Sequence, residues 1–302
     1  MQYAFVMGVI IAILSSILSI FIVLKRLSLI GDGLSHTAFG GLSLGYFLNI
    51  AYFVDIAPIW AGTIVVVLGS VGITKAIGST KISGDAAVAL FLQLGLASGI
   101  MLLSISRGFG FNVETLLFGD ILLVNLDQIY VALGVLAATL ALVFVFYKEL
   151  VYTTFDEIQA RASGIRTWIF DYMISIAAGI AVIASIPIVG VLVISALLVL
   201  PALTSIQIAR SFKQTLILSP IFGLTSVVLG LLLSLVIYSA AGATIVVVGL
   251  LIFAVVVGLN KFKVATISRA SKRLPEQFGR KPLFAVIARQ LIRALSAVVR
   301  SG

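Results

Sequence analysis

The chain has 302 residues, of which 61% are apolar and only 10% are charged. An ordinary soluble domain has about 25% charged residues, so this composition excludes a cytosolic enzyme, a nucleic-acid-binding domain and a disordered chain. There is no cysteine, which also excludes a disulfide framework, a thiolate nucleophile and a thiolate metal site. Apolar runs of about 20 residues recur along most of the sequence and predict an all-α polytopic membrane protein.

The apolar runs predict about nine transmembrane helices, with a range of roughly eight to ten. In chain order they cover residues 4–24, 33–52, 56–77, 86–105, 127–147, 168–186, 189–206, 215–238 and 243–260. The first run is too long for a signal-peptide core, and its basic pair, Lys25 and Arg26, follows it rather than precedes it. We therefore expect a membrane span there and not a cleavable signal. Segment 106–126 is too polar to span and is predicted to be a short outer-face or re-entrant helix.

The basic residues give the predicted orientation. Nine crossings place all of them on one side except Arg107, so the N-terminus is expected outside and the C-terminus in the cytoplasm of a plasma or inner membrane. Residues 1–260 form the predicted transmembrane domain, in which basic and acidic residues balance. Residues 261–302 form a basic tail with a single acid. An amphipathic helix on membrane lipid or against a partner is expected there, with apolar positions Phe284, Ile287, Leu291, Leu295 and Val298.

The start of the second span carries the strongest chemical signal. His36 is the only histidine, and Asp32 lies four residues before it, so both point along one face of a helix. Carboxylate and imidazole are ligands for first-row divalent cations, and ionisable groups within a bilayer are functional candidates. Two ligands are too few for a closed site, but a two-fold homodimer would supply two of each. A structural Asp–His hydrogen bond and a proton relay stay open as alternatives.

Two further features concern helix packing. Small residues recur every four positions in the second span, which predicts the close approach of another helix. They are Gly33, Thr37, Gly41 and Gly45. Pro201, within the seventh span, predicts a kinked or broken helix. Asp171, in the first turn of the sixth span, is predicted to be interfacial.

The cytoplasmic loop 148–167 is predicted to contain a short surface helix. Thr154 or Asp156 can cap its start, and Gly164 can end it. From the residues alone, a passive connector and a helix gripped by a partner both remain open.

The sequence contains no credible catalytic set. It has neither a Gly-x-x-x-x-Gly-Lys-Ser/Thr loop nor a Gly-x-Gly-x-x-Gly motif for binding nucleotide phosphates. Ser35 and His36 are adjacent, so they project in different directions and cannot act as a nucleophile and its base. The chain is therefore not expected to be an enzyme.

The motif Gly31-Asp32-x-x-Ser35-His36 lies in the first of four stretches that together resemble a known family. They cover residues 23–36, 117–122, 155–165 and 189–202. In order and spacing these stretches resemble the membrane subunits of bacterial and archaeal zinc/manganese/iron ATP-binding-cassette importers. The resemblance extends over about residues 1–260. It stops before the basic tail. Within the resemblance there is one departure, because this chain has Pro201-Ala-Leu-Thr-Ser where the family usually has Pro-Ala-Ala-Thr-Ala.

The resemblance implies a type II importer permease that forms the membrane path as a homodimer. It implies two cytoplasmic ATPase subunits and an extracytoplasmic metal-binding protein as partners, with no permanently bound cofactor. Asp32 and His36 are implied to contact the transported manganese, zinc or iron. The family's coupling helix, which fits a groove of the ATPase, maps onto about 155–165. Its implied contact residues are Asp156, Glu157, Ala160, Arg161 and Gly164.

Three other functions are weighed against this expectation. A permease for a metal chelate, such as a siderophore or cobalamin, shares a similar fold but does not need an Asp–His pair. A cation carrier that works without an ATPase would need further acids buried in mid-span, and the sequence has almost none. A membrane scaffold that recruits partners through its basic tail would not need a stoichiometric ATPase.

Overall fold

A computed structural model describes residues 2–52, 57–79, 82–106, 119 and 124–277. These residues form α-helices joined by short turns. The first six helices are α1 (Gln2–Leu24), α2 (Ile30–Tyr52), α3 (Pro58–Ser79), α4 (Gly84–Ile105), α5 (Leu126–Val145) and α6 (Tyr147–Phe155). The next six are α7 (Glu157–Ala162), α8 (Thr167–Val189), α9 (Val191–Leu197), α10 (Leu200–Ile206), α11 (Phe212–Ile237) and α12 (Ala241–Gln277).

Several helices have the length and composition of membrane spans, so the chain is an integral membrane protein. Within the described ranges, 7 helices are long and apolar enough to cross a bilayer, namely α1, α3, α4, α5, α8, α11 and α12. Helix α2 has 23 residues but is less apolar, because it carries Asp32, His36 and many small residues. The all-helical class is confirmed, whereas the number of nine crossings stays a prediction.

The predicted seventh span is not one continuous helix. It consists of α9 and α10, which are interrupted at Leu198 and Val199. Pro201 lies in the first turn of α10 and has no N–H group, so it cannot donate to the carbonyl of Leu197 four residues earlier. The interruption therefore precedes the proline, and the Val199 N–H bonds instead to the carbonyl of Ala196 at 3.1 Å.

Helix α1 lies in the centre of the bundle and packs against α11 through polar side chains. The hydroxyl of Ser219 donates to the carbonyl oxygen of Ser16 at 2.9 Å, and its oxygen lies 3.4 Å from that of Ser19. Gly223, one turn further along α11, leaves space for Ser16, because a Cβ there would lie 1.9 Å from the Ser16 hydroxyl oxygen. Small residues and interhelical hydrogen bonds thus hold these two helices together within an apolar surrounding.

The predicted short helix in loop 148–167 is confirmed as α7. The side chain of Asp156 caps its start by accepting from the Gln159 N–H at 2.9 Å. Gly164 ends it with φ +83°, a left-handed conformation that suits glycine. The Ile165 N–H reaches back to the carbonyl of Ala160 at 3.0 Å, which completes a Schellman motif. A second helix that the sequence analysis did not predict, α6, precedes the capping aspartate.

Two predictions fall outside the described residues. One is the central part of the outer-face or re-entrant helix, residues 107–118, with Glu114. The other is the amphipathic helix with apolar positions between 284 and 298. The division of the chain at residue 260 also stays a prediction, and α12 continues past it to Gln277.

Candidate functional site

Asp32 and His36 both lie near the start of α2. The chain leaves α1 through a turn in which Arg26 has φ 59°. Asp32 occupies the first turn of α2, where its N–H donates to the carbonyl of Leu29 at 3.1 Å. His36 follows one helical turn later, and both side chains are half-buried. The structure therefore places the two residues on one face of one helix, as their spacing predicts.

The imidazole of His36 has unused binding capacity. Its Nδ1 atom is buried, and no described residue forms a hydrogen bond with it. The neighbouring hydroxyls are satisfied within α2, because Ser35 donates to the carbonyl of Gly31 and Thr37 to that of Gly33, each at 2.7 Å. The described residues therefore leave Nδ1 available as a hydrogen-bonding or metal-binding atom.

Glycines bring the backbones of α3 and α4 against this part of α2. A Cβ atom at Gly95 of α4 would lie 2.3 Å from the carbonyl oxygen of His36. On the other side, a Cβ at Gly41 would lie 2.8 Å from the Cα of Gly62 in α3, and Thr37 also packs against α3. The predicted small-residue stripe thus does allow close helix approach. Because the contacts are between backbones, the position of His36 is set by α4 rather than by flexible side chains.

One chain supplies too few ligands for a closed metal site. In the part of the chain that the structure describes, His, Asp and Glu side chains form no group of three or more. Nor does any hydrogen bond there join Asp32 to His36. Among the described residues the pair therefore consists of one carboxylate and one imidazole on α2.

An ion pair that the sequence analysis missed connects the turn before α2 to α8. Lys25 donates to a carboxylate oxygen of Asp171, and the two side chains are only 9% and 27% exposed. Asp171, predicted to be merely interfacial, thus forms an ion pair with the turn between α1 and α2. At the start of α8, the Thr167 hydroxyl accepts from Nε of Arg161 at 2.9 Å. Polar contacts therefore run from α7 through α8 to the turn that leads to Asp32.

The five predicted coupling residues differ in their exposure. Glu157, Arg161 and Gly164 are exposed, Asp156 is half-buried, and Ala160 is 0% exposed. The sequence analysis did not single out two large apolar side chains at the same surface, Phe155 and Ile158, which are 62% and 83% exposed. The cap at Asp156 indicates a surface helix but not which of its side chains are exposed, since Ala160 of the same helix is buried.

Three comparisons relate this chain to known proteins. The sequence model of the ABC 3 transport family matches residues 1–260. The manganese import system permease protein ScaB of Streptococcus gordonii is 31% identical over 231 residues, which are 76% of this chain and 81% of that protein. The manganese transport system membrane protein MntC of Halalkalibacterium halodurans is 27% identical over 241 residues, or 80% of each chain.

The fold is also found in a solved structure, that of PsaBC from Streptococcus pneumoniae in complex with Fab. It matches with a TM-score of 0.74 and 30% sequence identity, covering 84% of this chain and 90% of that chain. The helical arrangement described above is therefore shared over most of both chains.

Proposed function

This chain belongs to the ABC 3 transport family, and we propose that it is the permease subunit of an ATP-driven importer of a divalent transition metal. Permease subunits of ABC transporters are not enzymes, so hydrolysis of ATP is assigned to a separate partner chain. The observation that carries the proposal is the Asp32–His36 pair on α2, with a buried imidazole nitrogen that no described residue satisfies.

Two copies of the chain would complete the metal site. A two-fold dimer offers two carboxylates and two imidazoles, a set that suits zinc tetrahedrally and suits manganese or iron with added water. The site must also release the ion, so an incomplete shell favours transport over storage. Manganese is the first metal to measure, because ScaB and MntC are both named for it.

The segment α6–α7 is proposed as the handle on which the ATPase acts. The exposed Phe155 and Ile158 supply an apolar contact, and the buried Ala160 anchors α7 to the rest of the chain. A displacement of α7 would reach α8 through Arg161 and then the turn before Asp32 through the Lys25–Asp171 ion pair. Such a displacement would open the site toward the cytoplasm, while an extracytoplasmic binding protein would deliver the metal from outside.

The test is uptake of manganese, zinc and iron into vesicles that contain the permease and its ATPase. Asp32→Ala and His36→Ala are each expected to lower ATP-dependent uptake at least about tenfold, since each removes two of four ligands in the dimer. Asp85→Ala is the matched control, because Asp85 also lies in the first turn of its helix but is exposed. Wild-type uptake by both site variants would remove the pair from the path. Uptake by the wild type without any ATPase would support the carrier alternative instead.

A further inference from the structure

A large cavity opens at the end of the helix bundle that the basic residues assign to the cytoplasm. Its volume is about 990 Å³, and it lies between the ends of α1 and α3, the segment α6–α7 and the first turns of α8. Ile30, at the start of α2, forms part of the wall, but Asp32 and His36 do not. The cavity is therefore distinct from the proposed metal site.

The cavity has an excess of positive charge. Its walls include four basic residues and two acids. The basic residues are Lys25, Arg26, Lys75 and Arg161, and the acids are Glu157 and Asp171. Both acids are already bound to cations, Asp171 to Lys25 and Glu157 to Arg161. The formal charges of these six described side chains sum to +2, which repels a divalent cation and attracts an anion.

The inner part of the cavity lies at membrane depth. Ser175 is eight residues into α8, which corresponds to about 12 Å along the helix axis. Ile174 of α8 adds apolar surface at a similar depth, and Ile22 of α1 adds apolar surface nearer the helix end. Nearer the mouth, Trp168 and Tyr172 meet edge to face with ring centroids 6.1 Å apart. Aromatic side chains in such positions are typical of the boundary between lipid and water.

We propose that this cavity binds the phosphate headgroup of an anionic phospholipid of the inner leaflet. The basic residues at the mouth match the phosphate, and the apolar wall matches the upper part of the acyl chains. Basic pockets between membrane helices on the cytoplasmic side are known to take anionic headgroups. A free phosphate would leave the apolar wall uncovered, and a cytoplasmic domain would not reach Ser175. Arg26, held in a left-handed conformation after α1, lies in the wall at the mouth.

The experiment measures phosphatidylglycerol binding to the purified full-length protein by native mass spectrometry. Arg26→Asn combined with Lys75→Gln removes two charges from the cavity, and asparagine tolerates the left-handed backbone of residue 26. Each lost charge is expected to weaken binding about fivefold, giving a combined loss on the order of 30-fold. Arg210→Asn with Lys213→Gln is the matched control, because it removes the same charges outside the cavity and is expected to change binding less than about twofold. The basic tail is retained in every variant.

Three further measurements distinguish binding of an anionic phospholipid from binding of any phospholipid or of free phosphate. Phosphatidylcholine with the same acyl chains should not compete, and inorganic phosphate should not displace the lipid. Arg26→Lys with Lys75→Arg keeps both charges and should retain binding. The proposal is overturned if the cavity and control variants lose binding equally, or if the charge-preserving variant loses it too. It is also overturned if inorganic phosphate or the purified ATPase partner displaces the lipid. None of these outcomes depends on metal transport.

Discussion

Replacing Gly95 by alanine tests whether α4 sets the position of His36. The added Cβ would lie 2.3 Å from the His36 carbonyl oxygen, whereas real Cβ contacts under 3.0 Å are essentially never seen. The two helices must therefore separate locally by roughly 0.7 Å or more. Because the contacted atoms belong to the backbone, no side-chain rotation can relieve the clash, and overpacking of this kind costs about 1–3 kcal/mol.

The expected result is a folded permease with impaired transport. A misplacement of about 1 Å costs on the order of 100-fold in enzymes, so we expect Gly95→Ala to reduce metal uptake at least about tenfold. The matched control is Gly134→Ala in α5, where an added Cβ meets nothing within 4 Å. That control should transport at the wild-type rate and gain about 0.5–1 kcal/mol of helix stability. Uptake is measured in vesicles, and thermal unfolding is measured in detergent. Equal uptake by the two variants would refute the assignment of α4 as the support of His36.

Three further changes follow from the same structure. Lys25→Met should lower the unfolding free energy by about 2 kcal/mol, because it leaves the partly buried Asp171 without its cation. The charge-exchanged variant, Lys25→Asp with Asp171→Lys, should be more stable than either of its two single substitutions. A double-mutant cycle measures this difference. Gly164→Ala places a side chain at φ +83°, which should cost about 1 kcal/mol and uncouple ATP hydrolysis from uptake. Pro201→Ala supplies an N–H for the Leu197 carbonyl, so the protein should melt at the same or a higher temperature but transport more slowly.

Each of these three predictions has an outcome that would contradict it. A swapped Lys25–Asp171 pair no more stable than the single variants would show that the two charges do not interact. Normal coupling in Gly164→Ala would mean that the end of α7 is not involved in the response to ATP. Full transport by Pro201→Ala would show that the interruption between α9 and α10 has no role in the path.

Local features were predictable where a few neighbouring residues determine the backbone. Asp156 and Gly164 fix both ends of α7, because a side-chain cap and a left-handed glycine act within one helical turn. Pro201 indicated a disturbance of the seventh span, but the proline alone favoured a kink, whereas the structure has a break. The break lies two to three residues earlier, at Leu198 and Val199, because proline removes the hydrogen bond to the preceding turn.

Long-range contacts were not predictable from one sequence. Lys25 and Asp171 are 146 residues apart, and nothing near either residue indicates the other. The same holds for Gly95, whose importance comes only from the backbone of α2 that it touches. Hydropathy and spacing identify which residues lie in the membrane and share a face. They do not identify which helix comes to lie against that face.

The glycine contacts of α2 have a mechanical consequence. With almost no side chain between α2 and its neighbours at Gly95 and Gly62, the backbones of α2, α3 and α4 lie in direct contact there. The three helices are thus expected to travel as a single rigid body during the transport cycle. Movement must then occur across the opposite flank of α2, where Gly31 rests on Leu198 at the gap between α9 and α10. That flank is where a hinge for alternating access is to be sought.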